Sequence, residues 1–168
     1  MWMDGDSLAP PCGTEPFSLP YIISALDLTS SDVLYDLGCG DGRVCLAADE
    51  VGNVMKAVGV EIEDDVADAF EASIVSKGLQ GRVQCVRGDL RDVDFREATA
   101  VVLYLLPEGI EAVQEKLIKM LREKKGMRVL CNTWGFKGVK ETKRVDVEGL
   151  TLLVYENCGG GEETSLPA

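Results

Sequence analysis

Acidic side chains at matched places along the chain carry the first chemical signal. Asp36 precedes the first glycine of "YDLGCGDGR" (35–43), Glu61 falls in "AVGVEI" (57–62), and Asp89 follows Gly88 in "RVQCVRGDL" (82–90). A fourth acid, Asp41, sits inside the glycine turn. A glycine-rich turn lets backbone come close to a ligand. Asp36 and Asp41 would repel a pyrophosphate, no lysine stands beside them, and a ligand carrying positive charge would be attracted. The glycine spacing agrees. A dinucleotide fingerprint reads G-x-G-x-x-G, whereas Gly38-Cys39-Gly40-Asp41-Gly42 brings the third glycine one residue early.

These residues act together only if the intervening elements bring them together. "VLYDLG" (33–38) is an apolar run ending in glycine and predicts a buried strand. Further strands are expected over 57–62, 82–90, 98–107 and 127–136, with a final hairpin of "TKRVDV" and "TLLVYEN" joined by Glu148-Gly149. Helical spacing lies between them. Ser18 can cap a short helix with Pro20 in its first turn and Leu19, Ile22, Ile23 and Leu26 on one face. Val44, Leu46, Ala47 and Val51 follow the glycines, and Val66, Ala69, Phe70 and Ile74 form a stripe over 63–78. Ile110, Val113, Leu117, Met120 and Leu121 mark the longest helix, 108–125, which Gly126 stops. The alternation predicts an α/β fold whose sheet is parallel and covered on both faces. One domain spans 16–157, after a loose arm at 1–15 and before a disordered tail at 158–168. Ligands bind such sheets at the carboxyl ends of the strands, near the switch point, which collects the glycine turn, Glu61 and Asp89.

A ligand with an ammonium, a sulfonium, a ribose and an adenine suits that collection, and S-adenosyl-L-methionine has all four. Glu61 would accept from the ribose hydroxyls and Asp89 from the exocyclic adenine amine, with Ile62 and Leu90 on the two faces of the ring. Each acid taken singly also reads as a loop or cap carboxylate; three at successive strand ends argue for the site.

"VLYDLGCGDGR", "VGVEIED" and "VRGDL" together resemble class I (seven-stranded, Rossmann-like) S-adenosylmethionine-dependent methyltransferases, over about residues 17–157. The resemblance implies a three-layer fold with strand order 3-2-1-4-5-7-6 and an antiparallel seventh strand. It places Asp36, Gly38 and Gly40 along the amino-acid part of the cofactor, Glu61 at the ribose and Asp89 at the adenine; Cys39, Asp41 and Tyr104 are further cofactor-binding candidates. "PFSLPYIISALDL" ahead of the glycine motif is similar to small protein-lysine methyltransferases of mitochondria and bacteria, distant relatives of the Dot1 histone enzymes. Those carry P-(Y/F)-x-P-(T/S) there; here one extra residue separates Phe17 from Pro20.

Composition bounds the acceptor. Lys plus Arg total 17 against 29 Asp plus Glu, a formal net charge of -12. Proteins that track nucleic-acid phosphates need basic patches, so nucleic acid is not an expected partner. The acidity serves solubility, and it also suits a basic or lysine-containing protein. Strand four ends in Tyr104-Leu105-Leu106-Pro107 rather than the (D/N)-P-P-(Y/F) of enzymes that methylate planar amines. With no His in the chain, His-based zinc sites and Ser-His or Cys-His nucleophiles are excluded. Six Cys without a C-x-x-C pair, and no visible targeting segment or long apolar span, lead to an expected reducing, cytoplasmic setting with no membrane span. Tyr104 and Trp134 are the candidates nearest a catalytic role, and Phe17, Tyr21 and Trp134 could wall an acceptor channel; core packing is the competing reading for each aromatic. Two other classes stay open: a small-molecule methyltransferase and a non-catalytic cofactor-binding partner subunit.

Overall fold

The first strand, β1 (Val33–Leu37), is buried at all five residues, as its apolar composition requires. It lies inside a sheet that the computed structural model, which describes residues 8–10 and 12–157, shows to have seven strands. The others are β2 (Lys56–Glu61), β3 (Val83–Arg87), β4 (Ala100–Leu103), β5 (Arg128–Asn132), β6 (Lys143–Val147) and β7 (Leu150–Glu156). Their order is β3-β2-β1-β4-β5-β7-β6. Pairing is parallel from β3 through β5, and β7 runs antiparallel to both β5 and β6. The direction of winding reverses between β1 and β4, so the turn after β1 opens at the switch point. Glu148 and Gly149 make the β6–β7 turn with φ of 50° and 81°, the positive pair that a tight two-residue hairpin needs.

One face of the sheet carries α1 (Leu19–Leu26), α2 (Arg43–Glu50) and α3 (Asp64–Ser76). Ile22, Leu26, Val44, Cys45, Phe70 and Ile74 meet Leu34, Ala57, Val102 and Leu130 there. The other face carries α4 (Pro107–Glu123), whose Ile110, Val113, Leu117 and Leu121 stripe is buried as its spacing predicts. No helix joins β3 to β4; Leu90, Phe95 and Ala98 of that connection fill the space beside α4 instead. Lys116 seals it, its Nζ 3.8 Å from the Phe95 ring centroid and donating to the Val93 carbonyl at 3.0 Å.

Several local expectations change in tertiary context. α2 buries Val44, Cys45 and Ala48, while Leu46 and Ala47 are half-buried and Val51, at the helix end, is exposed. α3 buries Ala67 with Phe70 and Ile74 and leaves Ala69 exposed. In helices this short, several stripes fit the apolar residues, and contact with the sheet selects one. Ser18 does not cap α1. It has helical dihedrals, follows a 3-10 turn (Pro16–Ser18), and its hydroxyl donates to the Glu15 carbonyl at 2.6 Å; a capping residue needs extended backbone. Residues 8–10 and 12–15 are docked rather than loose: Leu106 N donates to the Leu8 carbonyl at 2.8 Å, and Thr14 is buried. The expected tail at 158–168 and residues 1–7 of the expected arm lie outside the described residues. Among the described residues, no helix is long and apolar enough to cross a membrane.

Gly42, the early third glycine, precedes α2 with φ of 77°, and a Cβ there would overlap the Phe70 ring. Gly42→Ala should therefore cost about 1–3 kcal/mol of stability by displacing Phe70 from its place against Gly42 and Gly59. Urea denaturation checks this; an unchanged midpoint would mean that α3 moves aside freely.

Candidate cofactor site

The glycine turn is pinned over the carboxyl end of β2. Gly38 N and Cys39 N both donate to the Val60 carbonyl at 2.9 Å. Gly38 and Gly40 have φ of 83° and 57°, which only glycine adopts at little cost. The Glu61 carboxylate completes the tie. It accepts from Gly40 N at 2.8 Å through one oxygen, and from Ile62 N at 2.8 Å and Glu63 N at 2.9 Å through the other. Glu63 is the residue from which α3 starts, so one buried side chain joins the glycine turn to the head of α3.

Asp36 lies within β1, beside Gly59 and Val102, on the same sheet face as Leu34. Its side chain is buried, and among the described residues no hydrogen bond to its carboxylate is found. Burial above all, then the charges of Glu61 and Asp41, pushes its carboxyl up to about 7. An uncompensated carboxylate of this kind is a receptor for a cation.

The other two acids are compensated. Arg43 Nε and Nη2 donate to Asp41 at 2.8 and 2.6 Å, and this pairing holds the Asp41 carboxyl below its usual range. Arg91 Nε donates to both Asp89 oxygens at 2.9 Å, with the same effect on that carboxyl. Of the two acids expected to face a cation, Asp36 and Asp41, only Asp36 is left without an arginine, and Asp89, expected at the adenine amine, is occupied by Arg91, because in each case an arginine two residues on folds back onto the acid.

A cleft of about 420 Å³ opens over the turn. Gly38, Cys39, Gly40, Asp41, Glu61 and Tyr104 line it, as their positions in the sequence suggest. Asp36 lies outside the lining, as do Ile62 (exposed), Leu90 (buried against α4 and β4) and Asp89. Phe17 and Tyr21 are exposed on the outside of the first turns rather than packed in the core, and Trp134 is half-buried after β5; none of the three lines the cleft. Tyr104 Oη contacts Cys12 Sγ at 3.5 Å. That contact, then burial, raises the phenol to about 12, so Tyr104 keeps its proton at neutral pH.

Sequence reasoning missed one wall. Cys12, Gly13 and Thr14 line the cleft, with Arg43 and Val66. Nothing in the aperiodic 1–15 segment signals this. Arg43 stood within the motif, but only the fold shows its Nη1 donating to the Thr14 carbonyl at 2.8 Å.

The chain's likenesses agree with this geometry. A family profile described as the ANTKMT methyltransferase domain matches residues 36–143. A protein-lysine N-methyltransferase of Saccharolobus islandicus is 40% identical over 130 residues, 76% of this chain and 80% of that protein. The mouse adenine nucleotide translocase lysine N-methyltransferase is 31% identical over 84 residues, half of this chain and 36% of that protein. Among solved structures, an RNA methyltransferase from Salinibacter ruber in complex with S-adenosyl-L-homocysteine superposes with a TM-score of 0.81 at 28% identity, over 92% of this chain and all of that one. The glycine turn, the buried acids and these matches together make the chain a member of the ANTKMT methyltransferase family, a class I enzyme that uses S-adenosylmethionine.

Proposed function

We propose that this protein transfers the methyl group of S-adenosylmethionine to the ε-amine of a lysine in a protein acceptor. The observation that carries the reading is the 40% identity to a protein-lysine N-methyltransferase across three quarters of the chain. The residues present suit the cofactor. Asp36 offers an unpaired carboxylate for a positive group, backbone at Gly38 and Gly40 faces the cleft, and Glu61 has one lone-pair site left for a ribose hydroxyl, on the oxygen that accepts from Gly40. Asp89, Ile62 and Leu90 are proposed for the adenine end, where freeing Asp89 requires Arg91 to swing away.

The cofactor supplies an already activated methyl group, so the protein must orient an amine, strip water from it and let its proton leave. Tyr104, protonated, can orient the incoming nitrogen through its phenolic oxygen. Phe17, Tyr21 and Trp134 are proposed to guide the acceptor side chain from outside the cleft. The net charge of -12 favours a basic protein. It disfavours a nucleic-acid acceptor, as does the pairing of Arg43, Arg87 and Arg91 with acids, which leaves those charges less able to neutralise phosphates. The free thiols of Cys12, Cys39, Cys45, Cys85 and Cys131 suit a reducing, cytoplasmic setting.

Incubation with tritiated S-adenosylmethionine and cell extract, resolved by size, tests the acceptor: label should run with protein and map to lysine. Label found only in nucleic acid or small molecules would overturn the reading. S-adenosylhomocysteine at 100-fold its Kd should stabilise the protein by about 2.7 kcal/mol, and NAD should not.

A further inference from the structure

Arg43 joins separate pieces of chain at one rim of the cleft. Its Nε and Nη2 grip Asp41 in the glycine turn, while Nη1 reaches the Thr14 carbonyl, 29 residues earlier. Gly13 lies beside the guanidinium; a Cβ there would come within 3.6 Å of Arg43 Cζ. On the far side Cys12 meets Tyr104 after β4. Cys12, Gly13 and Thr14 thus stand between the glycine turn and the end of β4, and all three line the cleft with Gly38, Gly40 and Glu61. The planar fork serves both sides at once. A lysine ammonium could reach Asp41 or Thr14 but has no second arm fixed in the same plane.

We propose that Arg43 is a positioning residue for the cofactor: it holds Cys12, Gly13 and Thr14 as one wall of the cleft and so slows cofactor release. This rests on the reading that the cleft is the cofactor site. Arg43 acts through the wall, so its loss should fall on affinity and release, with chemistry at saturation nearly intact.

The test uses the full chain as wild type, Arg43→Gln and Arg43→Lys. Three quantities are measured: S-adenosylhomocysteine dissociation, the KM and kcat of methyl transfer, and alkylation of Cys12 by iodoacetamide, located by peptide mass. Cys12 is an exposed thiol in the wall and reports its position directly. In the wild type, S-adenosylhomocysteine should protect Cys12. In Arg43→Gln, ligand-free alkylation should quicken, and both dissociation and the cofactor KM should rise about tenfold, the effect of one charge-assisted hydrogen bond, with kcat held within about twofold. Arg43→Lys should fall between. Ligand that binds wild type without protecting Cys12 would mean that the cleft reading is wrong. Protection in the wild type, with Arg43→Gln behaving identically in dissociation and alkylation, would overturn the role of Arg43 alone. A fall in Tm and kcat with neither release nor alkylation altered would do the same, since it marks a purely structural residue. Should Arg43→Gln fail to fold, Asp41→Asn takes its place. It leaves the guanidinium without its anchor, and unchanged release and alkylation there would count equally against the proposal.

Discussion

Asp36→Asn is expected to stabilise the ligand-free protein at pH 8 by up to about 4 kcal/mol and, at the same time, to weaken S-adenosylhomocysteine binding at least tenfold. The buried carboxyl titrates near 7 in the folded chain, against an ordinary value of 3.8. Between about pH 4 and 7 the folded state therefore holds a proton that the unfolded chain has released. Stability contributed by this group falls as pH rises through that window, and the full cost is present above it. The groups that face Asp36 reinforce the sign: Glu61 on β2 and Asp41 in the turn are both acidic, and Arg43 is spent on Asp41. Asparagine removes the charge and so the pH dependence. A ligand ammonium placed beside Asp36 would instead favour the ionised form. The stabilisation given by S-adenosylhomocysteine should then grow from pH 5.5 to 8 in the wild type and stay flat in the variant. Melting temperatures of both proteins across that range, with and without ligand, decide it. Parallel profiles for the two would show that Asp36 does not carry the buried charge.

Glu61→Ala should lose on two counts at once. From the sequence the side chain stands at a strand end and supports no packing; the fold adds that its carboxylate accepts three backbone N–H groups. Removing them leaves the turn and the head of α3 unsatisfied, at a cost of about 2–3 kcal/mol. Cofactor affinity should fall by about ten- to 150-fold through the lost ribose contact. Glu61→Gln separates the two effects. Its amide oxygen can still accept from Ile62 and Glu63, while its amide nitrogen faces the Gly40 N–H, so stability should recover more than binding does. Glu50→Ala, exposed at the end of α2, is the control and should change neither. Denaturant midpoints report the first count, and calorimetric titration with S-adenosylhomocysteine the second. A destabilised Glu61→Ala that binds as tightly as wild type would leave Glu61 a purely structural acid.

Both outcomes turn on how far local sequence can be read. Seven strands and their approximate places were legible, because apolar runs and turn residues act over a few neighbours. The α4 stripe was legible because 17 residues repeat its period often enough to leave one solution. The eight-residue α2 does not, and its buried face went to Cys45 and Ala48. No local pattern marks the β3–β4 connection, yet Phe95 is wholly buried within it, because a sheet face short of helices must still be covered.

At the site, the residue types and their spacing by themselves determined the glycine turn, the acids near the strand ends and the class of ligand that they suit. Those follow from φ preferences and from charge, which belong to the residues. Only the tertiary structure decided which acids stay uncompensated. Asp41 and Asp89 are neutralised by arginines two residues away, while Glu61 is tied to Gly40 across 21 residues and Asp36 is buried in β1 with no cation beside it. Likewise it decided that Thr14 and Leu8 come to rest against Arg43 and Leu106. Such contacts join segments distant in sequence, and their energy is realised only when the sheet has brought its strand ends together, so no local preference could announce them.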